Sequence, residues 1–171
     1  MVVFNLRSRL PAWMNAATER TIRERFGYVF ETPPGSYYPP ILDLHRIDGK
    51  VTVAGAGGPV VAEPFSVPHG DIEALSFRIG PLVYTPDIKD MNAVTWEMLR
   101  GADCWILDAL RHKPHVSHVN VETAVSWIAE AAPPRAFLTN LHIDLDYAEL
   151  DAMTPSNVHP AHDGLVLEYP V

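Results

Sequence analysis

The sequence predicts an α/β fold, and three observations carry that reading. Residues 41–86 hold five short β-branched or alternating runs, ILDLHRI, KVTVAG, PVVAEPFSV, ALSFRIG and LVYTPD, separated by Gly, Pro or Asp. Beyond Asp87, strand-like and helix-like segments alternate, as they do when crossovers pack on one sheet. The length of 171 residues suits one domain, taken as 1–171.

The elements follow in order. The chain opens on an extended start. A helix over Ala16–Phe26 comes next, with Asn15 as its N-cap and Gly27 as its stop. Five of the 13 basic residues, Arg7, Arg9, Arg20, Arg23 and Arg25, fall here, and a solvated helix face accounts for them more simply than a phosphate-binding patch. ETPPGSYYPP (31–40) must be irregular, because four prolines and a glycine forbid helix and central strand. Its tyrosines either line a pocket or pack the loop down. The five strand candidates imply an antiparallel or mixed sheet. Gly55-Ala56-Gly57-Gly58 is a hairpin turn and not a phosphate cradle, since no helix follows it. Then come a helix near 93–100, a strand over 104–110 and a helix over 121–131 capped by Asn120. A strand over 135–140, a short helix near 146–152 and a last strand over 164–169 complete the reading.

Composition excludes several classes. The charge is 13 − 21 = −8 and the pI is near 5.4. Such a chain attracts neither nucleic acid nor an anionic membrane surface. No apolar run approaches the roughly 20 residues that span a bilayer. No signal peptide is evident at MVVFNLRSRL, so a cytoplasmic location is expected. Cys104 is a lone cysteine, which rules out an internal disulfide and a cysteine zinc site; it reads as core.

Eight histidines direct attention to metal ligation or proton transfer. His69 and Asp87 each close a strand-like run, and His142 follows another. Groups at strand ends converge on one edge of a sheet. Imidazole and carboxylate suit zinc, manganese or iron. His112, His115 and His118 recur at spacing three, on a loop because of Pro114; His112 and His115 read as solvated. Asp71 is either a support for His69 or a turn cap. Asp144 and Asp146 read as helix caps, and Trp13, Trp96, Trp105 and Trp127 as packing. No Gly-x-Ser-x-Gly elbow surrounds Ser117, which argues against a serine hydrolase.

Several segments together carry a family resemblance: PFSVPHGD (64–71), LVYTPD (82–87), DCWILDALRHKPHVSHVNVETAVSWI (103–128) and AFLTNLHIDLDY (136–147). RFGYVFETPPGSYYPPILDLHRI (25–47) and PAHDGLVLEY (160–169) extend it. In order and spacing they resemble the metallo-β-lactamase fold hydrolases, in the PhnP-like branch of phosphoribosyl cyclic phosphate phosphodiesterases. The resemblance implies that His69 ligates one metal, Asp87 bridges two and His142 ligates the other. It implies His118 as the acid that protonates the leaving oxygen of a small phosphodiester. The implied cofactor is a pair of divalent ions, zinc or manganese. Many relatives read Thr-His-x-Ser-His where this chain has Thr139-Asn140-Leu141-His142. The family's His-x-His-x-Asp-His motif is absent from the sequence. The expected fold is therefore the C-terminal portion of a metallo-β-lactamase-like αββα sandwich, truncated at its N-terminal side. A sheet face left bare would be covered by a second copy in a homo-oligomer, by a separate N-terminal half, or by rearranged local elements. The expected function is metal-dependent phosphodiester hydrolysis by a dinuclear site when the fold is complete. The alternatives are a non-catalytic fragment or interaction module, and an RNA-processing nuclease-like relative, against which the acidic charge counts.

Overall fold

A computed structural model describes residues 5–169. It contains two compact units, Met1–Lys50 and Val51–Val171. Of the expected extended start, residues 1–4 lie outside the described residues, residues 5–6 are helical and residues 7–8 turn, and the chain becomes extended only at Leu10.

The first unit is a small βαβ arrangement. Strand β1 (Leu10–Met14) and strand β2 (Leu42–Arg46) pair in parallel, from Leu10 opposite Leu42 to Met14 opposite Arg46. Helix α1 (Ala16–Phe26) lies between them in sequence. It starts where Asn15 accepts a hydrogen bond from the Thr18 N–H at 2.9 Å. It stops at Gly27, where a 3₁₀ turn over Gly27–Val29 takes over. Glu19 on α1 pairs with Arg23 one turn on and with Arg46 of β2. Trp13 stacks on His45 at 4.7 Å across the two strands. The sequence grouped β2 with the strands after it, yet among the described residues β2 pairs with β1 alone. The reason is that a parallel partner needs a crossover, and α1 with the proline loop supplies one. That loop is held by its own bonds, Thr32 Oγ1 to the Tyr38 carbonyl at 3.0 Å and Ile41 N–H to the Val29 carbonyl at 2.9 Å. Tyr37 stands in solvent, whereas Tyr38 lines a recess with Tyr28, Pro33, Pro39 and Ile41.

The second unit is a seven-stranded mixed sheet in simple sequential order. Its strands are β3 (Val51–Gly55), β4 (Gly58–His69), β5 (Ile72–Ile79), β6 (Leu82–Thr85), β7 (Cys104–Asp108), β8 (Arg135–Thr139) and β9 (Val158–Pro160). Pairing is antiparallel from β3 to β6 and parallel from β6 to β9. The switch follows connection length: short turns join the first four strands, and helices join the rest. Helix α2 (Ala93–Leu99) follows β6, α3 (Val121–Ala131) follows β7 and α4 (Tyr147–Met153) follows β8. Asn92, Asn120 and Asp146 cap them, each accepting from a backbone N–H two or three residues on. The Asn92 amide also donates to the Ser66 carbonyl at 3.0 Å, tying α2 to β4.

Strand β7 is the centre of the core. Its run CWILD is apolar until the last residue, as expected of a strand buried on both faces. Trp105 and Leu107 are fully buried with Val67, Val83, Ile88, Ile128, Leu138 and Leu150 around them. The Trp105 indole N–H donates to Thr85 Oγ1 at 2.8 Å, which satisfies both buried groups.

The predicted strand over 164–169 does not form; 164–169 is turn and irregular chain, and Val166 is exposed. Three residues before it, Val158–Pro160, take the edge position beside β8 instead. Asp163-Gly164 is a turn, as read, with Gly164 at φ +84°.

Candidate metal centre

Strands β4, β6, β7 and β8 all run the same way, so their C-terminal ends share one edge of the sheet. His69 is the last residue of β4, Asp87 lies two residues past β6, and Asp108 ends β7. Backbone bonds draw the following loops together. Lys89 N–H bonds the Pro68 carbonyl at 2.7 Å, Val119 N–H the Ile88 carbonyl at 2.8 Å and His142 N–H the Leu110 carbonyl at 2.8 Å. Gly70 makes one of these approaches: at φ +68°, a Cβ here would lie 3.0 Å from Ser117 Cβ.

The result is a cluster of His69, Asp87 and His118, whose potential ligand atoms lie within 4.8 Å of one another. The His69 and His118 rings meet edge to face at 4.6 Å. All three residues are half-buried, which leaves the cluster open to a ligand. His118, to which the resemblance gave the role of acid, lies beside the potential ligands His69 and Asp87.

Asp108 was not singled out from the sequence, although a lone carboxylate ending an apolar strand was a signal. It is fully buried, and its Oδ2 lies 2.7 Å from His118 Nδ1. Burial pushes its carboxyl up, and the hydrogen bond from His118 partly offsets that. With Nδ1 paired to Asp108, Nε2 is the His118 nitrogen left for a ligand. A carboxylate behind an imidazole is the arrangement that fixes the tautomer of a metal-binding histidine. We expect Asp108→Asn to weaken zinc binding by about 10–100-fold in an isothermal titration. An unchanged affinity would remove Asp108 from the site.

The donor set fits a divalent cation on two further grounds. His69 Nδ1 and Asp108 Oδ1 are buried with no hydrogen-bond partner in the structure. Such groups are costly to leave unpaired, and a bound cation would satisfy acceptors there. Two imidazoles and a carboxylate are also the ligand types that zinc accepts at about 2.0–2.2 Å.

The remaining candidates are placed as follows. His142 is outside the cluster: its Nδ1 lies 3.2 Å from Asp144 Oδ2. Asn140, at φ +58°, is the residue of that loop that reaches Asp87. Its amide donates to the Pro86 carbonyl at 2.6 Å and lies 3.5 Å from Asp87 Oδ1. His112 is exposed and pairs with Glu122 at 2.7 Å. His115 is not solvated as read: it is half-buried, 5.2 Å from the His118 ring, with Ser117 bonded to its Nδ1. Desolvation and His118 hold its imidazole below the usual range. Asp71 is exposed and does not approach this centre as a ligand. Asp146 is the α4 cap, as read.

Comparison with known proteins identifies the family and the fold. Residues 3–143 match a family profile described as a beta-lactamase superfamily domain. The chain is 31% identical over 150 residues to an octanoyltransferase of Porphyromonas gingivalis (strain ATCC BAA-308 / W83). That match covers 85% of this chain and 29% of the transferase. A new diphosphatase from the PhnP family superposes with a TM-score of 0.82 at 30% identity, over 96% of this chain and 60% of its own. Zn(2+)-bound PqqB from Methylobacterium extorquens gives 0.69 at 17%, covering 98% of this chain and 68% of its own. Human tRNase Z, short form, gives 0.60 at 14%, covering 96% and 68%. The last two likenesses show the fold alone. The chain spans well under two thirds of the transferase and 60% of the diphosphatase.

Proposed function

Because the chain belongs to the beta-lactamase superfamily, with a PhnP-like fold, we propose that it serves metal-dependent hydrolysis of a small phosphodiester. The observation that carries this reading is the convergence of His69, Asp87 and His118, with Asp108 buried behind His118. When bound there, a divalent ion supplies Lewis acidity toward a phosphoryl oxygen and lowers the pKa of a bound water.

The chain's own residues then have separable roles. His69 and Asp87 bring ligand atoms from two strand ends. Asp108 pairs with His118 Nδ1, which leaves the other ring nitrogen of His118 for the site. Asn140 steadies Asp87 through its amide and the Pro86 carbonyl. A dinuclear site with His142 as a further ligand belongs to the same proposal. It is supported by the backbone bond that puts His142 beside the end of β7. Zinc and manganese are the proposed ions.

The other names among the relatives fit less well. The octanoyltransferase is matched over only 29% of its own length, so its name does not put acyl transfer in this segment, and the chain's cysteine is no candidate nucleophile for it. Cys104 is fully buried, and desolvation pushes its thiol up. Polynucleotide cleavage calls for a field that attracts phosphates. Residues 51–171 carry 6 basic and 16 acidic side chains, 6 − 16 = −10.

The test is metal content by plasma mass spectrometry, followed by hydrolysis of bis(p-nitrophenyl) phosphate. We expect zinc or manganese to be retained after desalting and lost in His69→Ala. Phosphodiester turnover should follow the metal content. Retained metal without any turnover would keep the centre and discard the hydrolase reading; no metal in either protein would discard both.

A further inference from the structure

The β3–β4 ribbon is an unfinished piece of sheet. Strand β4 runs over Gly58–His69, but β5 pairs only with Glu63–His69. Residues 58–62 therefore have β3 on one side and no strand on the other among the described residues. Residues 52–61 are all exposed, including Val53, Val60 and Val61. A two-stranded hairpin with neither face packed is marginal in water. The segment 51–62, VTVAGAGGPVVA, contains no ionisable side chain, in a chain of net charge −8. Exposed edges are ordinarily blocked by lysine, proline or a bulge.

The two edges of the ribbon differ. Gly55 and Gly58 flank a two-residue turn, so they form a hydrogen-bonded pair, and bonding alternates from there. Thr52 opposite Val61 and Ala54 opposite Pro59 are then the pairs whose backbone groups point outward. On the β4 side, Pro59 has no N–H to offer, which blocks strand addition. On the β3 side, Thr52 and Ala54 present a complete set of donors and acceptors.

We infer that β3 is a self-association edge, at which β3 of a second copy pairs antiparallel about a two-fold axis. Val53 then faces its own counterpart. Thr52 of each copy exchanges two backbone hydrogen bonds with Ala54 of the other, four in all. The occupant is a second copy for two reasons. An antiparallel edge is self-complementary under a two-fold axis. Two molecules that each carry −8 also repel least where neither is charged. The ribbon supplies 12 residues, against roughly 20–30 a side in a standard interface. The dimer is accordingly weak and concentration-dependent.

Sedimentation velocity over a concentration series tests this. The 19.0 kDa chain is expected to shift toward twice its mass as concentration rises. Ala54→Pro removes an outward N–H that only the second copy uses. It should raise the dimer dissociation constant at least about tenfold, with an unchanged far-ultraviolet spectrum. Val53→Lys sets two ammonium groups face to face and should do the same, with partial recovery in salt. A chain that stays monomeric at every concentration overturns the inference and leaves the edge to another protein's strand. A dimer that survives both variants overturns it in favour of a different surface.

Discussion

Asp87→Ala is expected to weaken divalent-cation binding by more than about 100-fold, beyond the loss that a supporting residue produces. Asp87 is the one carboxylate of the His69, Asp87 and His118 cluster. Without it, two half-buried histidines remain, and neither carries a negative charge to offset a cation's desolvation. Asp87 follows β6 and Pro86 on a loop held by the Asn140 amide and by the Lys89–Pro68 backbone bond. The truncation therefore removes a ligand without dismantling the loop. Titration calorimetry with zinc measures the affinity, and far-ultraviolet circular dichroism checks the fold. Wild-type affinity in Asp87→Ala would place the cation elsewhere.

Trp105→Ala is the substitution expected to cost the most stability, about 3–5 kcal/mol. The indole is fully buried at the middle of the sheet, among Val83, Leu107 and Leu138. Its loss leaves a cavity and also strips Thr85 Oγ1 of its donor. A domain has only about 5–15 kcal/mol in total, so this takes a large share of it. Trp105→Phe keeps most of the volume and loses the hydrogen bond, so it should cost less, about 1–3 kcal/mol. Urea unfolding followed by circular dichroism ranks the two. Equal losses would mean that the cavity, and not the Thr85 bond, is a minor part of the effect.

How much of this was legible in the sequence depends on whether the signal was local. The helices at 16–26 and 121–131 were readable to the residue, because Asn15 and Asn120 are caps that act within one turn. The strand cores of β3 to β8 were readable for the same reason. Sheet membership was not, since pairing of β2 with β1 joins residues more than thirty apart. The last strand was misread because GLVLEY has strand propensity, while the edge beside β8 was already taken by Val158–Pro160.

The site divided in the same way. His69 and Asp87 follow strands, and a strand end has one address in a parallel arrangement. The loop after β8 does not fix its side chains so firmly. His142 was chosen from the resemblance because Asn140 is a poor ligand; in the structure the backbone at Asn140 takes a positive φ and its amide lies near Asp87. Asp108 escaped notice because its partner, His118, is ten residues away across an irregular loop.

The account's central claim is that His69, Asp87 and His118 share one divalent cation, with Asp108 setting the tautomer of His118. X-ray absorption at the zinc edge, on the zinc-loaded chain and on His118→Ala, tests it most directly. The predicted spectrum shows imidazole scattering from two histidines, with nitrogen and oxygen ligands at about 2.0–2.2 Å. His118→Ala should lose one imidazole contribution. A wild-type spectrum without imidazole scattering, or one that His118→Ala leaves unchanged, would contradict the claim.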